Sequence, residues 1–294
     1  MALADVRLHT PQTLTEALAL LGELTGVRLL AGGTDLLVDL KEGLVHSKNL
    51  ISLQGLDELR GIDIVEERIR IGALTTPKEI ASDPLIRKHL PALADAAKSM
   101  ASPQIRSLAT IGGNIASAVP SADLPPTLIA VDATVQIVCS DSPREISLVD
   151  FFAGPRLTVC GAGEILTAIF VPVPSPATGV AYEKFVQREA NSLAVASVAA
   201  RLTLKDSRIA KAAIVLGAVA PTPLLTTEAS ALLDGQSPTD NIFAHAAKIA
   251  AEESKPISDV RGSLWFRTEL IPVLTRRALT LALERAQNKL SADK

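Results

Sequence analysis

The chain has 294 residues, is 48% hydrophobic but only 3% aromatic, and carries a formal net charge of −3. A core of Ala, Val, Leu and Ile leaves few rings to stack on bases, and the acidic balance argues against a nucleic-acid partner. Two cysteines and four histidines, in no C-x-x-C or H-E-x-x-H spacing, give no metal site, and no apolar run reaches the roughly 18 residues of a membrane span. The cysteine usage fits a reducing cytoplasm, and the N-terminus shows no signal-peptide pattern.

In chain order, Thr13–Leu24 is expected to form a helix. Thr13 is its N-cap, Glu16 completes a capping box, and Leu14, Ala17, Leu18 and Leu21 share one face. Val27–Leu30 reads as a short buried strand ended by Gly32-Gly33, and Asn49–Leu53 and Ile69–Ile71 as further strands. Thr76-Pro77 opens a helix at about Lys78, and Leu90–Met100 is a second, alanine-rich one. Thr134–Cys139 and Glu164–Val171 are strands, with a helical turn at Leu148–Phe152 between them.

Three alternating prolines, Pro172, Pro174 and Pro176, stiffen a linker and mark a domain boundary. Beyond it Ala181–Val186, Ala194–Leu204 and Ala210–Ala218 read as three strands. Thr227–Leu233, Phe243–Ser254 and Phe266–Gln287 read as helices, with Gly235 capping the first.

The motifs that carry chemistry are two glycine-rich turns, Leu29–Leu36 and Thr110–Ser117. Each sets a Gly pair between an apolar run and a small polar residue, a composition that brings bare backbone N–H groups to phosphate oxygens. Two such turns point to loops converging on one diphosphate. Asp35 and Asp123 lie in or beside them, where a carboxylate repels phosphate. They are expected either to accept hydrogen bonds from sugar-type hydroxyls or to cap the helix that follows. Gly161-Ala162-Gly163 is not a Rossmann fingerprint, because Leu166 stands where the third glycine belongs. In Tyr182–Arg188, Lys184 is a candidate cation for the pyrimidine edge of a flavin; otherwise it is a solvated charge on a strand with Tyr182 and Phe185 in the core.

Several segments occur in an order and spacing that make a specific signature. They are Ala-Gly-Gly-Thr-Asp (Ala31–Asp35), Gln-Ile-Arg (Gln104–Arg106), Thr-Ile-Gly-Gly-Asn (Thr110–Asn114), Pro120 with Asp123, Glu164–Pro172, Tyr-Glu-Lys-Phe (Tyr182–Phe185) and Gly217–Pro223. Over almost its whole length the chain resembles the FAD-binding middle subunit of the xanthine dehydrogenase/carbon monoxide dehydrogenase family of molybdenum hydroxylases.

The resemblance implies an α+β fold. A two-part vanillyl-alcohol-oxidase-type FAD-binding domain would span residues 1–173, with subdomains of about 1–55 and 56–173. A C-terminal α+β domain of the CO dehydrogenase flavoprotein type would follow over 177–288, built from a three-stranded antiparallel sheet and a helical bundle. Leu29, Leu30, Ala31, Gly32, Gly33, Thr34, Asp35 and Leu36 would line the FAD diphosphate, together with Ala109, Thr110, Gly112, Gly113, Asn114, Ala116 and Ser117. Asp123, beside Ala122, would take the ribityl or ribose side, Leu166 and Lys184 the isoalloxazine, and Met100 and Ala101 the adenine. Ser192 and Ser107 depart from the family's frequent Asp and Asn.

No residue of this chain is implied to be catalytic or to bind metal. The implied function is electron transfer. FAD would couple the [2Fe–2S] clusters of a ferredoxin-like small subunit to an external acceptor, while a molybdopterin-containing large subunit oxidises the substrate, the whole being a dimer of heterotrimers. A stand-alone FAD-dependent reductase or oxidase is the alternative, and a binding protein that has lost the cofactor a third reading.

Overall fold

In a computed structural model, which describes residues 6–139, 142–188 and 191–292, the chain opens with a small parallel sheet. Strand β1 (Arg7–His9), helix α1 (Leu14–Glu23), strand β2 (Val27–Leu30), helix α2 (Leu36–Glu42) and strand β3 (Asn49–Ser52) follow one another. β3 lies between β1 and β2, with Leu8 opposite Leu50 and Leu29 opposite Ile51. Thr13 caps α1 as expected, its Oγ1 accepting the Glu16 N–H at 3.2 Å. The Glu16 carboxylate instead accepts from Gln12 N, so the capping box is only half made.

Strands β4 (Ile62–Val65) and β5 (Arg68–Gly72) precede a run of short helices: α3 (Pro77–Ser82), α4 (Pro84–His89), α5 (Pro91–Ser99), α6 (Pro103–Leu108), α7 (Ile111–Ala116) and α8 (Leu124–Ala130). Each of the first four opens on a proline, which sacrifices no intrahelical bond and forbids continuation of the helix before it. A complete capping box, Thr76 with Glu79, starts α3. Then come β6 (Thr134–Val138), β7 (Pro143–Ser147), the turn α9 (Leu148–Phe151), the hairpin β8 (Phe152–Gly154) and β9 (Leu157–Thr158), and β10 (Ile165–Pro172). β4, β5, β10, β6 and β7 lie side by side in that order as one antiparallel sheet.

After the prolines come β11 (Thr178–Phe185), β12 (Ala196–Lys205), β13 (Arg208–Gly217) and a two-residue edge strand, β14 (Leu224–Leu225). The sheet therefore has four strands, not the expected three. Pro221 and Pro223 hide the short fourth one from an apolar-run reading. Helices α10 (Thr227–Leu233), α11 (Asp240–Glu253) and α12 (Leu264–Ala292) cover one face of it.

Both faces of this sheet are buried. Ala196, Val198, Ala200 and Leu202 pack with the C-terminal helices, whereas Val180, Tyr182, Ala199 and Val215 join the core that holds Ile111, Leu124 and Leu166. The parts before and after the prolines thus share a core, which explains why β12 is apolar nearly throughout rather than alternating.

α12 packs so closely on β11 that a Cβ on Gly179 would overlap the carbonyl oxygen of Ala282 and lie 2.5 Å from Ala286 N. Gly179→Ala is expected to destabilise the protein by at least about 2 kcal/mol in urea unfolding. Gly163→Ala, which meets open space, should stay within about 0.5 kcal/mol of the parent. Equal losses at the two positions would contradict this packing.

Candidate functional site

The two glycine segments meet. A Cβ on Gly32 would overlap the backbone at Leu108 and Ala109, so only glycine lets the first turn lie against the segment leading into the second. Gly33, at φ +72°, supplies the left-handed step that turns the chain into α2. A hydrogen bond from Ser117 Oγ to Asp35 Oδ2, 2.9 Å, ties the far ends of the two segments together. Asp35 makes no side-chain bond to the helix it precedes, so the capping alternative drops away.

Their backbone donors differ. Among the described residues, the N–H groups of Gly32, Gly33, Thr34 and Asp35 donate to no protein acceptor. The second segment is no open turn: Ile111–Ala116 is helix α7, capped by Thr110. Ile111 N donates to Thr75 O at 2.9 Å, Gly112 N to Ala73 O at 2.8 Å, and Gly113 N to Thr110 Oγ1 at 3.0 Å. These three amides of the second segment thus already donate to protein acceptors, unlike those of the first. Gly112 is needed for packing, since its Cβ would sit 2.7 Å from that of Ala73, whereas a Cβ on Gly113 would press only on the Thr110 hydroxyl. What this segment leaves unspent is a side chain: Asn114 Oδ1 is buried without a partner. Asn114 lies three residues before Ser117, on the same side of α7.

A second cluster forms where β11 crosses the end of α5. Tyr182 donates its hydroxyl to Asp123 Oδ1 at 2.8 Å, and Lys184 Nζ donates to the same oxygen at 3.0 Å and to Ser99 O at 2.8 Å. The Lys184 and Asp123 side chains are only 9% and 5% exposed. Burial pushes the Asp123 carboxyl up, opposed by the charge and hydrogen bond of Lys184 and by the Tyr182 hydroxyl, while burial also drives the Tyr182 phenol well above its ordinary value. Lys184 is therefore not the free cation the sequence suggests. Its charge is balanced inside the fold, and its loss cannot be neutral for stability.

Met100 and Ala101 follow Ser99 directly. Ala101 takes an unfavourable φ of +41°, and Arg106 holds the bend by donating Nη1 to Met100 O at 2.6 Å and to Ala101 O at 3.3 Å. Ala122 is buried beside Asp123. Leu166 stands at a bulge in β10, buried in the shared core; the next residue, Thr167, accepts the Ala73 N–H, so this strand and α7 dock on either side of Ala73. Gly161 donates its N–H to the Glu164 carboxylate at 2.6 Å in an ordinary turn, and Arg144 pairs with Glu164 and holds its carboxyl below the usual range. Cys160 is half-buried, and desolvation pushes its thiol up to about 11.

Sequence reasoning assigned Tyr182 to the core alone and gave no role to Arg106 or to Arg261, whose Nη1 reaches Ser121 Oγ at 3.3 Å. Arg106 lies within the Gln104–Arg106 signature, which was the available signal.

Family models match nearly the whole chain: an FAD binding domain in molybdopterin dehydrogenase over residues 4–174, and a CO dehydrogenase flavoprotein C-terminal domain over residues 181–282. The carbon monoxide dehydrogenase medium chain of Afipia carboxidovorans is 34% identical over 281 residues, covering 95% of this chain and 97% of that one. A putative xanthine dehydrogenase FAD-binding subunit of Escherichia coli is 32% identical, covering 96% and 97%. Carbon monoxide dehydrogenase from Hydrogenophaga pseudoflava superimposes with a TM-score of 0.94 at 34% identity, covering 97% of this chain and 99% of that chain.

The buried pair makes a pH-dependent prediction. Lys184→Met leaves the buried Asp123 carboxylate without its counter-charge, with only the Tyr182 hydroxyl still donating to it, a loss of roughly 3–5 kcal/mol. Without Lys184 the carboxyl's folded-state pKa, already raised, rises further. Protonation then relieves the cost as pH falls through that raised value. Urea unfolding should show a larger gap between variant and parent at mildly alkaline than at mildly acidic pH. A gap that ignores pH would mean that Asp123 is not its source.

Proposed function

The chain belongs to the FAD-binding family of the molybdopterin dehydrogenases, and on that premise we propose that FAD lies along the seam between the turn Ala31–Leu36 and the strip Ala109–Asp123. The chain is the FAD-carrying medium subunit of an oxidoreductase of the molybdenum hydroxylase class. The observation that carries the placement is the set of unspent hydrogen-bonding groups along that seam. They are four consecutive backbone N–H groups at Gly32–Asp35 and the orphaned carboxamide oxygen of Asn114. A diphosphate needs several donors and repels carboxylates, which fits a row of amides. The Asn114 oxygen only accepts, so its partner would be a hydroxyl or N–H of the cofactor and not the diphosphate, and that bond would remove the cost of leaving it unpaired.

On this reading Asp123, with one oxygen held by Tyr182 and Lys184, turns its other oxygen to the hydroxyls of the ribityl or ribose part. Lys184 acts by fixing Asp123 and by the field of the pair. Met100 and Ala101, held by Arg106, flank the adenine, and Leu166 backs the isoalloxazine. Bound there, FAD supplies a carrier that holds one electron or two, matching one-electron iron–sulfur clusters to a two-electron acceptor.

The relatives are named as medium chains and FAD-binding subunits, which supports a chain working beside an iron–sulfur small subunit and a molybdopterin-bearing large subunit, and not a stand-alone reductase. We take the assembly to be a dimer of heterotrimers in the cytoplasm; among the described residues no helix is long and apolar enough to cross a membrane.

No His or Cys lies in either glycine segment, so FAD is expected to be non-covalent, one per chain, and freed into solution on acid denaturation. Flavin remaining on the protein pellet would contradict this. Asn114→Ala is the sharper test. It should weaken FAD binding to the apoprotein by about tenfold while leaving apoprotein stability unchanged or raised, because the orphaned oxygen disappears with the side chain. Wild-type affinity in that variant would remove Asn114 from the site.

A further inference from the structure

The hairpin β8–β9 reaches back to the first glycine turn through one side chain. Arg156, at its tip, places Nη1 2.6 Å from Asp39 Oδ2 on α2, and donates its backbone N–H to Ala118 O at 2.8 Å. Asp39 is almost fully buried and lies one helical turn after Asp35, the residue that accepts from Ser117. Arg156 thus bridges α2 to the residue following Ser117. The two clasps, Ser117–Asp35 and Arg156–Asp39, fasten the same helix to the same strip of chain.

Both ends of the backbone bond are strained. Arg156 has φ +58° and Ala118 φ +46°, conformations that non-glycine residues rarely keep without a surrounding reason. The charge arrangement adds a second argument. Asp35 and Asp39 put two carboxylates on the helix that begins at the four free N–H groups, where any bound anion would feel them. Arg156 is the cation paired with one of the two.

We propose that Arg156 is a positioning residue for the FAD site. It holds α2 and its turn in register with the Asn114–Ala118 strip, and it cancels the Asp39 charge beside the diphosphate. The inference rests on the reading that FAD lies along that seam. Its side chain is 57% exposed, so replacing it opens no cavity and does not threaten the core.

The test is FAD titration of the full-length apoprotein, followed by flavin fluorescence, for the parent, Arg156→Gln and Arg156→Lys, at low and high ionic strength. Arg156→Gln should bind FAD about tenfold more weakly than the parent. The deficit should be larger at low salt, where the uncompensated Asp39 charge is least screened, and Arg156→Lys should recover most of the affinity. A purely structural ion pair would instead lower the melting temperature of the apoprotein and leave FAD affinity untouched. That result, or a deficit that neither salt nor lysine changes, would overturn the proposal. Failure of the parent apoprotein to take up FAD would sink the underlying placement instead.

Discussion

Every backbone N–H in a folded chain needs an acceptor, and that requirement divides the work between the two glycine segments. At α7 the first three amides are committed to Thr75, Ala73 and Thr110, which docks the helix on the end of β5. At Gly32–Asp35 a run of amides has no protein acceptor among the described residues. One segment is therefore scaffold and the other a set of donors, although their sequences look alike. Gly112 shows the same division: a Cβ there would strike Ala73, so the glycine serves contact between two pieces of backbone.

The second structural knot is Asp123. Its carboxylate is buried at the junction of α8 with the C-terminal sheet, and both of its donors, Tyr182 and Lys184, come from β11. A lone carboxylate at such depth would be prohibitively unfavourable, and two donors from one strand make it tolerable. The same arrangement binds the part of the chain after the prolines to the part before them, in a place where the apolar core also runs unbroken from Ile111 and Leu124 to Val180 and Val215. The C-terminal sheet is thereby a wall of the proposed cofactor site.

Much of this was legible in the sequence. The alternation and caps located β2, β3, β10, the three long C-terminal strands and the three final helices to within a few residues. The convergence of the two glycine segments followed from their composition. The misses have physical causes. β1 and β4 are short and largely exposed, so they lack an apolar signature, and β7 starts on a proline. α7 carries two glycines, and only its docking on the Ala73 and Thr75 carbonyls overrides that poor intrinsic propensity. Ion pairs between residues far apart in sequence, such as Lys184 with Asp123 or Arg156 with Asp39, leave no local pattern to read. For Lys184 the sequence offers a cation near a flavin edge or a solvated strand charge, and its partner Asp123, 61 residues away, leaves no local sign.

Hydrogen–deuterium exchange of the apoprotein and the FAD-loaded protein tests the central claim directly. Amides of the segment 32–35 should exchange fast without FAD and become protected when it binds. Amides 111–113, already bonded to protein acceptors, should be protected in both states and change little. Protection gained at 111–113 with none at 32–35 would place the diphosphate on the wrong segment and contradict the account.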